Sequence, residues 1–154
     1  VSAVIDMTAL QAKVDADVPG GSVNPPPPPP PPPPPVGNAY DITSLVLVNA
    51  SNGAVIRTLG ANDTISLGNL GAPSVSIQAI ANAGAKSVKF VSAAAGVSRT
   101  EGNAPWAFLG NSGSAYTPWK PTVQTYSITA TGYSASGASG TAGKAMTVTI
   151  NVTP

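Results

Sequence analysis

The sequence contains no cysteine and no histidine. The first absence excludes disulfides and thiolate metal sites. The second removes the side chain best suited to moving protons near neutral pH, which is also the commonest transition-metal ligand. Charge is scarce as well: Asp, Glu, Lys and Arg make up 8% of the chain and the formal net charge is +1, where an average soluble protein has about 25% charged residues. Such a balance provides no global attraction to nucleic acid or acidic lipid. No apolar run approaches the roughly 20 residues that span a bilayer, so membrane insertion is not expected. No basic stretch leads into an apolar one, so the sequence as it stands reads without a secretion signal. Two settings satisfy this. The chain is extracellular with a leader removed ahead of Val1, or it belongs to a virion surface, assembled in the cytoplasm and released by lysis.

What is present is 154 residues, 42% of them hydrophobic, with 16 glycines and 17 prolines. That is enough for one ordinary domain with appendages. Abundant Gly, Ser, Thr, Ala, Asn and Val with little charge is a composition typical of extracellular β-proteins.

Three parts follow along the chain. In residues 1–18, Asp6 is placed to cap a helix whose apolar side chains are Met7, Leu10, Val14 and Val18, and Pro19-Gly20-Gly21 would end it. A helix of about three turns is marginal alone in water, so this segment is expected to anchor the chain or oligomerise it by docking; the alternative is a disordered tail. Residues 19–36 form a linker containing an unbroken run of prolines over 25–35. Proline fixes φ and lacks an N–H, so polyproline II is the conformation open to the run. At ~3.1 Å per residue it would reach roughly 34 Å. The expected role is a semi-rigid spacer; the rival, a docking peptide for proline-binding domains, lacks the flanking basic residue that orients such ligands.

Residues 37–154 read as short strands between turn signals, the pattern of an all-β, antiparallel sandwich. Ile42 to Val48 is an apolar strand, Ser51-Asn52-Gly53 a hairpin turn, and Val55, Ile56 and Leu59 lie on the return. Ile65-Ser66-Leu67, Val75 to Ala79 and Val88 to Val91 add further strands. Tyr126 to Ala130 and Met146 to Val152 are the clearest period-two runs, apolar on one face and hydroxyl-bearing on the other. Tyr126, two residues before an inward Ile128, is positioned like the tyrosine corner of immunoglobulin-like sandwiches.

Several motifs occur in order: Arg99-Thr100-Glu101, Asn103-Ala104-Pro105, Gly110, Tyr116, Trp119, Tyr126 through Tyr133, and Gly140-Thr141-Ala142-Gly143. With them, residues 42–152 resemble a bacterial immunoglobulin-like β-sandwich module of large secreted proteins, found beside malectin-like or carbohydrate-active domains. The sequence departs from that pattern at Trp106, where a tyrosine is expected, at Asn111, where an aspartate is usual, and by the additional Gly102. The resemblance implies an immunoglobulin-like fold and an extracellular setting, and no defined catalytic activity.

The carboxylates of the third part are Asp41, Asp63 and Glu101, widely separated in sequence. No pair is arranged for the two-carboxylate chemistry of glycoside hydrolysis, and neither an enzyme activity nor a cofactor is expected. Glu101 is expected to pair with Arg99 or to accept backbone N–H groups in a loop. Asn62-Asp63 and Asn111-Ser112 offer oxygen ligands for calcium but lack the spaced acids of a calcium loop. Trp106, Phe108, Tyr116 and Trp119 cluster in one Gly-, Pro-, Ser- and Asn-rich segment. Either they close one end of the sandwich as a satellite core, or Trp106, Tyr116 and Trp119 present a surface to a partner or glycan. Six cationic side chains against three carboxylates in this part are too few for a nucleic-acid footprint.

These readings combine into a non-enzymatic display protein: an immunoglobulin-like head on a proline stalk, expected to decorate a phage capsid or tail or to form a fibre, with weak adhesion to a host surface. Its partners would be copies of itself or a larger assembly held through Met7, Leu10, Val14 and Val18, and a cell-surface glycan. The alternative is a glycan-binding or spacer module of a secreted bacterial protein.

Overall fold

The computed structural model describes residues 27–29 and 37–154. Met7, Leu10, Val14 and Val18, and most of the proline run, lie outside the described residues. Pro27, Pro28 and Pro29 are exposed and belong to neither helix nor strand.

The compact unit Val36–Pro154 is all-β. Its strands are β1 (Ile42–Asn49), β2 (Val55–Thr58), β3 (Asn62–Ser66), β4 (Val75–Ala81), β5 (Ser87–Ser92), β6 (Val97–Glu101), β7 (Trp106–Ala107), β8 (Asn111–Ser112), β9 (Ala115–Tyr116), β10 (Thr125–Ala135), β11 (Ser139–Ala142) and β12 (Met146–Thr153). One sheet has the order β2-β1-β4-β7, the second the order β3-β12-β10-β5-β6 with β11 added beside β10, and β8 and β9 form a separate hairpin.

The two main sheets face each other across one apolar core, a sandwich-like arrangement. Alternation decides the facing side. In β10, Tyr126, Ile128 and Ala130 are buried while Thr125 and Ser127 are exposed; in β12, Val148, Ile150 and Val152 are buried. Opposite them, Leu45, Leu47, Val75, Ile77 and Ala79 come from the other sheet into the same cluster. Strand β1 breaks the alternation, because Leu45 through Val48 are all buried. Its second face is covered too: Val46 and Val48 lie with Ala50 and Ala107 beneath Tyr116.

One sequence expectation needs correction. The sandwich is not wholly antiparallel, since β3 runs parallel to β12. Strand β2 returns alongside β1, and the chain then turns at Gly60-Ala61 and crosses to the other sheet, so β3 shares the direction of β12. The Asp63 carboxylate ties this turn, accepting the Gly60 N–H at 2.9 Å and the Arg57 guanidinium at 2.6 Å. The turn expected at Ser51-Asn52-Gly53 does join the antiparallel pair β1 and β2, though not as a two-residue turn with both Asn52 and Gly53 at positive φ. Only Gly53 is there, at φ 72°. The loop is longer: Gly53 N–H donates to Asn49 O at 2.8 Å, and Asn49 N–H to Ala54 O at 2.8 Å.

The chain comes into the domain beside the β4–β5 connection. Gly84 N–H donates to Ala39 O, and Asn82 Nδ2 to Asn38 O. Gly132, buried in β10, lets this segment lie close. A Cβ there would stand 2.0 Å from the carbonyl oxygen of Tyr40.

Candidate functional site

Residues 102–119, where the sequence concentrates its aromatics, run along the free edge of β4 and then leave it. In β7, Trp106 pairs with Ala79 and Ala107 with Gln78. Phe108 N–H donates to Ile77 O at 2.9 Å, and the edge is taken up again when Trp119 N–H donates to Val75 O at 2.7 Å. Between these points the β8–β9 hairpin makes a lobe over the outer face of β1, held by Tyr116 N–H on Ala50 O at 2.7 Å. This strand-then-lobe path sends the aromatics to different places.

Phe108 and Trp119 enter the main core. Phe90, Phe108, Trp119 and Tyr126 form an edge-to-face chain with centroid separations of 5.9, 6.4 and 5.2 Å. Each such pair contributes about 0.5–1.5 kcal/mol beyond its buried area. Tyr116 closes the lobe, and its hydroxyl donates to Gln78 Oε1 at 3.0 Å. Burial pushes its phenol above the usual tyrosine range. Trp119 is 5% exposed and Tyr116 7%. A shared platform of Trp106, Tyr116 and Trp119 is therefore not formed, because backbone pairing with β4 and β1 turns two of the three rings inward. Trp106 alone stays half-buried and accessible.

The Trp106 ring lines a shallow cleft of about 380 Å3 between the β4–β5 and β6–β7 connections. Ala81, Ala83, Ala85 and Ala104 supply its small apolar lining, while Asn82, Lys86 and Asn103 bring polar groups. The Asn82 amide is oriented by its bond to Asn38 O at 2.8 Å, and Lys86 N–H donates to Tyr133 O at 2.8 Å, which pins the backbone beneath its side chain. Sequence reading missed Asn82 and Lys86 as members of this cleft. They lie about 20 residues before Trp106, and no local pattern links the two connections.

Among the described residues, the three carboxylates are each engaged in structural bonds. Asp41 accepts the N–H groups of Asn38 and Lys144 at 2.9 and 2.6 Å, joining the incoming segment to the start of β12. Asp63 accepts from Arg57, Gly60 and Thr64. The Arg57 bond chiefly, with the two backbone donors, holds its carboxyl below the usual range despite the opposing effect of burial. Glu101 pairs with Arg99 as expected at the end of β6, the carboxylate buried and the guanidinium largely exposed. The Arg99 guanidinium lies over Gly110, where φ is 89° and a Cβ would fall 2.5 Å from Nη2. Asn111 Nδ2 donates to Gly113 O within its own hairpin. No cluster of three or more metal-ligating side chains occurs among the described residues.

Tyr126 accepts the Thr122 N–H at 2.9 Å and Gln124 Nε2 at 2.8 Å, a bond back to the chain just ahead of its own strand. Burial raises this phenol's pKa, but the donors from Thr122 and Gln124 outweigh it and bring it below the usual tyrosine range.

The chain matches no family model, no curated protein and no solved structure.

Proposed function

We propose that this chain is a non-enzymatic display protein, a decoration or fibre component of a phage virion whose immunoglobulin-like head is carried on a polyproline stalk. Residues 1–18 act as its anchor or oligomerisation segment. The observation that carries the reading is the use of carboxylates. Asp41, Asp63 and Glu101 each secure a turn, a strand junction or an edge, leaving a stable body with its acids committed to architecture.

Strand order supports the immunoglobulin-like reading. The run β12-β10-β5-β6 corresponds to the G-F-C-C′ run of a variable-type immunoglobulin sheet, and the Tyr126–Thr122 bond to the tyrosine corner. The eleven-proline run of the sequence supports the stalk, since proline offers neither helix interior nor ladder donor. Many copies on one particle would multiply weak contacts made by each head.

The test is the solution mass of the full chain by light scattering, alone and with purified phage particles. Oligomers or particle-bound protein are expected, and Leu10→Asp together with Val14→Asp should release them. A folded monomer that joins no particle would remove the proposal.

A further inference from the structure

Among the clefts of the head, the one at Trp106 is walled by a half-buried tryptophan. We propose that the cleft lined by Trp106, Asn82, Lys86 and Asn103 binds an acidic saccharide, with the apolar face of a sugar ring on the indole and its carboxylate at Lys86.

Three features argue for this. First, a half-buried tryptophan is an unusual wall for a solvent-facing cleft. The paired backbone of β7 sets Trp106 at the Ala79 register, and its side chain packs against the main core cluster, which places it before any ligand arrives. Second, the surrounding side chains are small. Ala81, Ala83, Ala85, Gly102 and Ala104 leave one face of the cleft open and apolar, and a rigid aromatic beside small residues suits the C–H face of a pyranose. Third, the polar groups are complementary to a hydroxylated anion. The Asn82 amide is held by Asn38 O through its nitrogen, which leaves its carbonyl oxygen to accept a sugar hydroxyl. Asn103 is exposed, with both an acceptor and a donor to offer. Lys86 takes part in neither ion pair found among the described residues, and no carboxylate lines the cleft. An ammonium with no counter-ion among the described residues favours a ligand that brings its own negative charge.

The site does not depend on how the head is carried, so binding and assembly can fail separately. The sequence contains only two tryptophans, and Trp119 is buried in the aromatic chain. Intrinsic fluorescence of the full chain therefore reports ligand contact through Trp106. The probes are tetragalacturonate and, as neutral counterpart, cellotetraose. Saturable fluorescence change with tetragalacturonate is expected, with weaker or no response to cellotetraose. Lys86→Met should weaken the uronate response by about tenfold and leave any response to cellotetraose unchanged. Asn103→Ala should weaken uronate binding while preserving the fold, and it leaves Trp106 in place as the reporter. No response to tetragalacturonate at millimolar concentration would overturn the proposal. Equal affinity for the two sugars, or binding indifferent to Lys86→Met and Asn103→Ala, would overturn it as well.

Discussion

The indole of Trp119 stands edge-on to the ring of Tyr126, with centroids 5.2 Å apart and planes at 81°. The pair joins the segment returning from the β8–β9 lobe to the first turn of β10, and so ties the aromatic-rich connection to the opposite sheet. Removing the indole should leave a large void between sheets. Trp119→Ala is expected to cost about 3–5 kcal/mol, read as a lower midpoint in guanidinium unfolding followed by circular dichroism. A loss under about 1 kcal/mol would show that the ring contributes little to the core.

Tyr126 adds a polar tether to that packing. Tyr126→Phe keeps the ring but strips the acceptor from the Thr122 N–H and from Gln124 Nε2. The expected loss is about 1–3 kcal/mol with an unchanged m-value. Since Phe preserves the edge-to-face contact, a double variant with Trp119→Ala separates packing from hydrogen bonding.

Acid should weaken the domain through the β2–β3 turn. The folded-state pKa of Asp63 lies below its usual value because Arg57 and two backbone N–H groups bind the carboxylate. Its contribution is therefore complete above the unfolded value, about 3.9, and is lost as pH falls through that value and then the lower folded one. Urea midpoints measured between neutral pH and pH about 2.5 should fall more steeply in the natural protein than in Asp63→Asn. Parallel pH dependences would refute the role assigned to this carboxylate.

Two glycines should respond in opposite ways to alanine. At Gly132 the added methyl would meet the Tyr40 carbonyl at 2.0 Å, whereas at Gly102 nothing lies within 4 Å. Gly132→Ala is expected to destabilise by about 3 kcal/mol, because backbone must move to admit it, while Gly102→Ala should stay within about 0.5 kcal/mol of the natural protein. Thermal unfolding of both variants checks the contrast.

Much of the strand framework is legible in the sequence. Tyr126 to Ala130 and Met146 to Val152 alternate, and both become inward-outward strands. Strand β6 is not legible in the same way: Val97–Glu101 carries Ser, Arg and Thr in its middle and no apolar period. It is a strand because β5 offers it a row of backbone partners from Val88↔Glu101 to Ser92↔Val97, and backbone groups pair without regard to side chain. The candidate site was half legible. An aromatic cluster between residues 106 and 119 is visible at once, but which ring stays outside is not, since burial of Tyr116 and Trp119 depends on bonds to Ala50 and Val75.

By itself the sequence determined what short-range sterics control: prolines that cannot join a ladder, period-two faces, and a Tyr126 set to reach back along its own chain. Only the tertiary structure decided the parallel β3–β12 pair, the satellite cluster beneath Tyr116, and the meeting of Asn82 and Lys86 with Trp106. These rest on contacts between segments far apart in sequence, where the identity of a neighbour depends on how every intervening strand has paired.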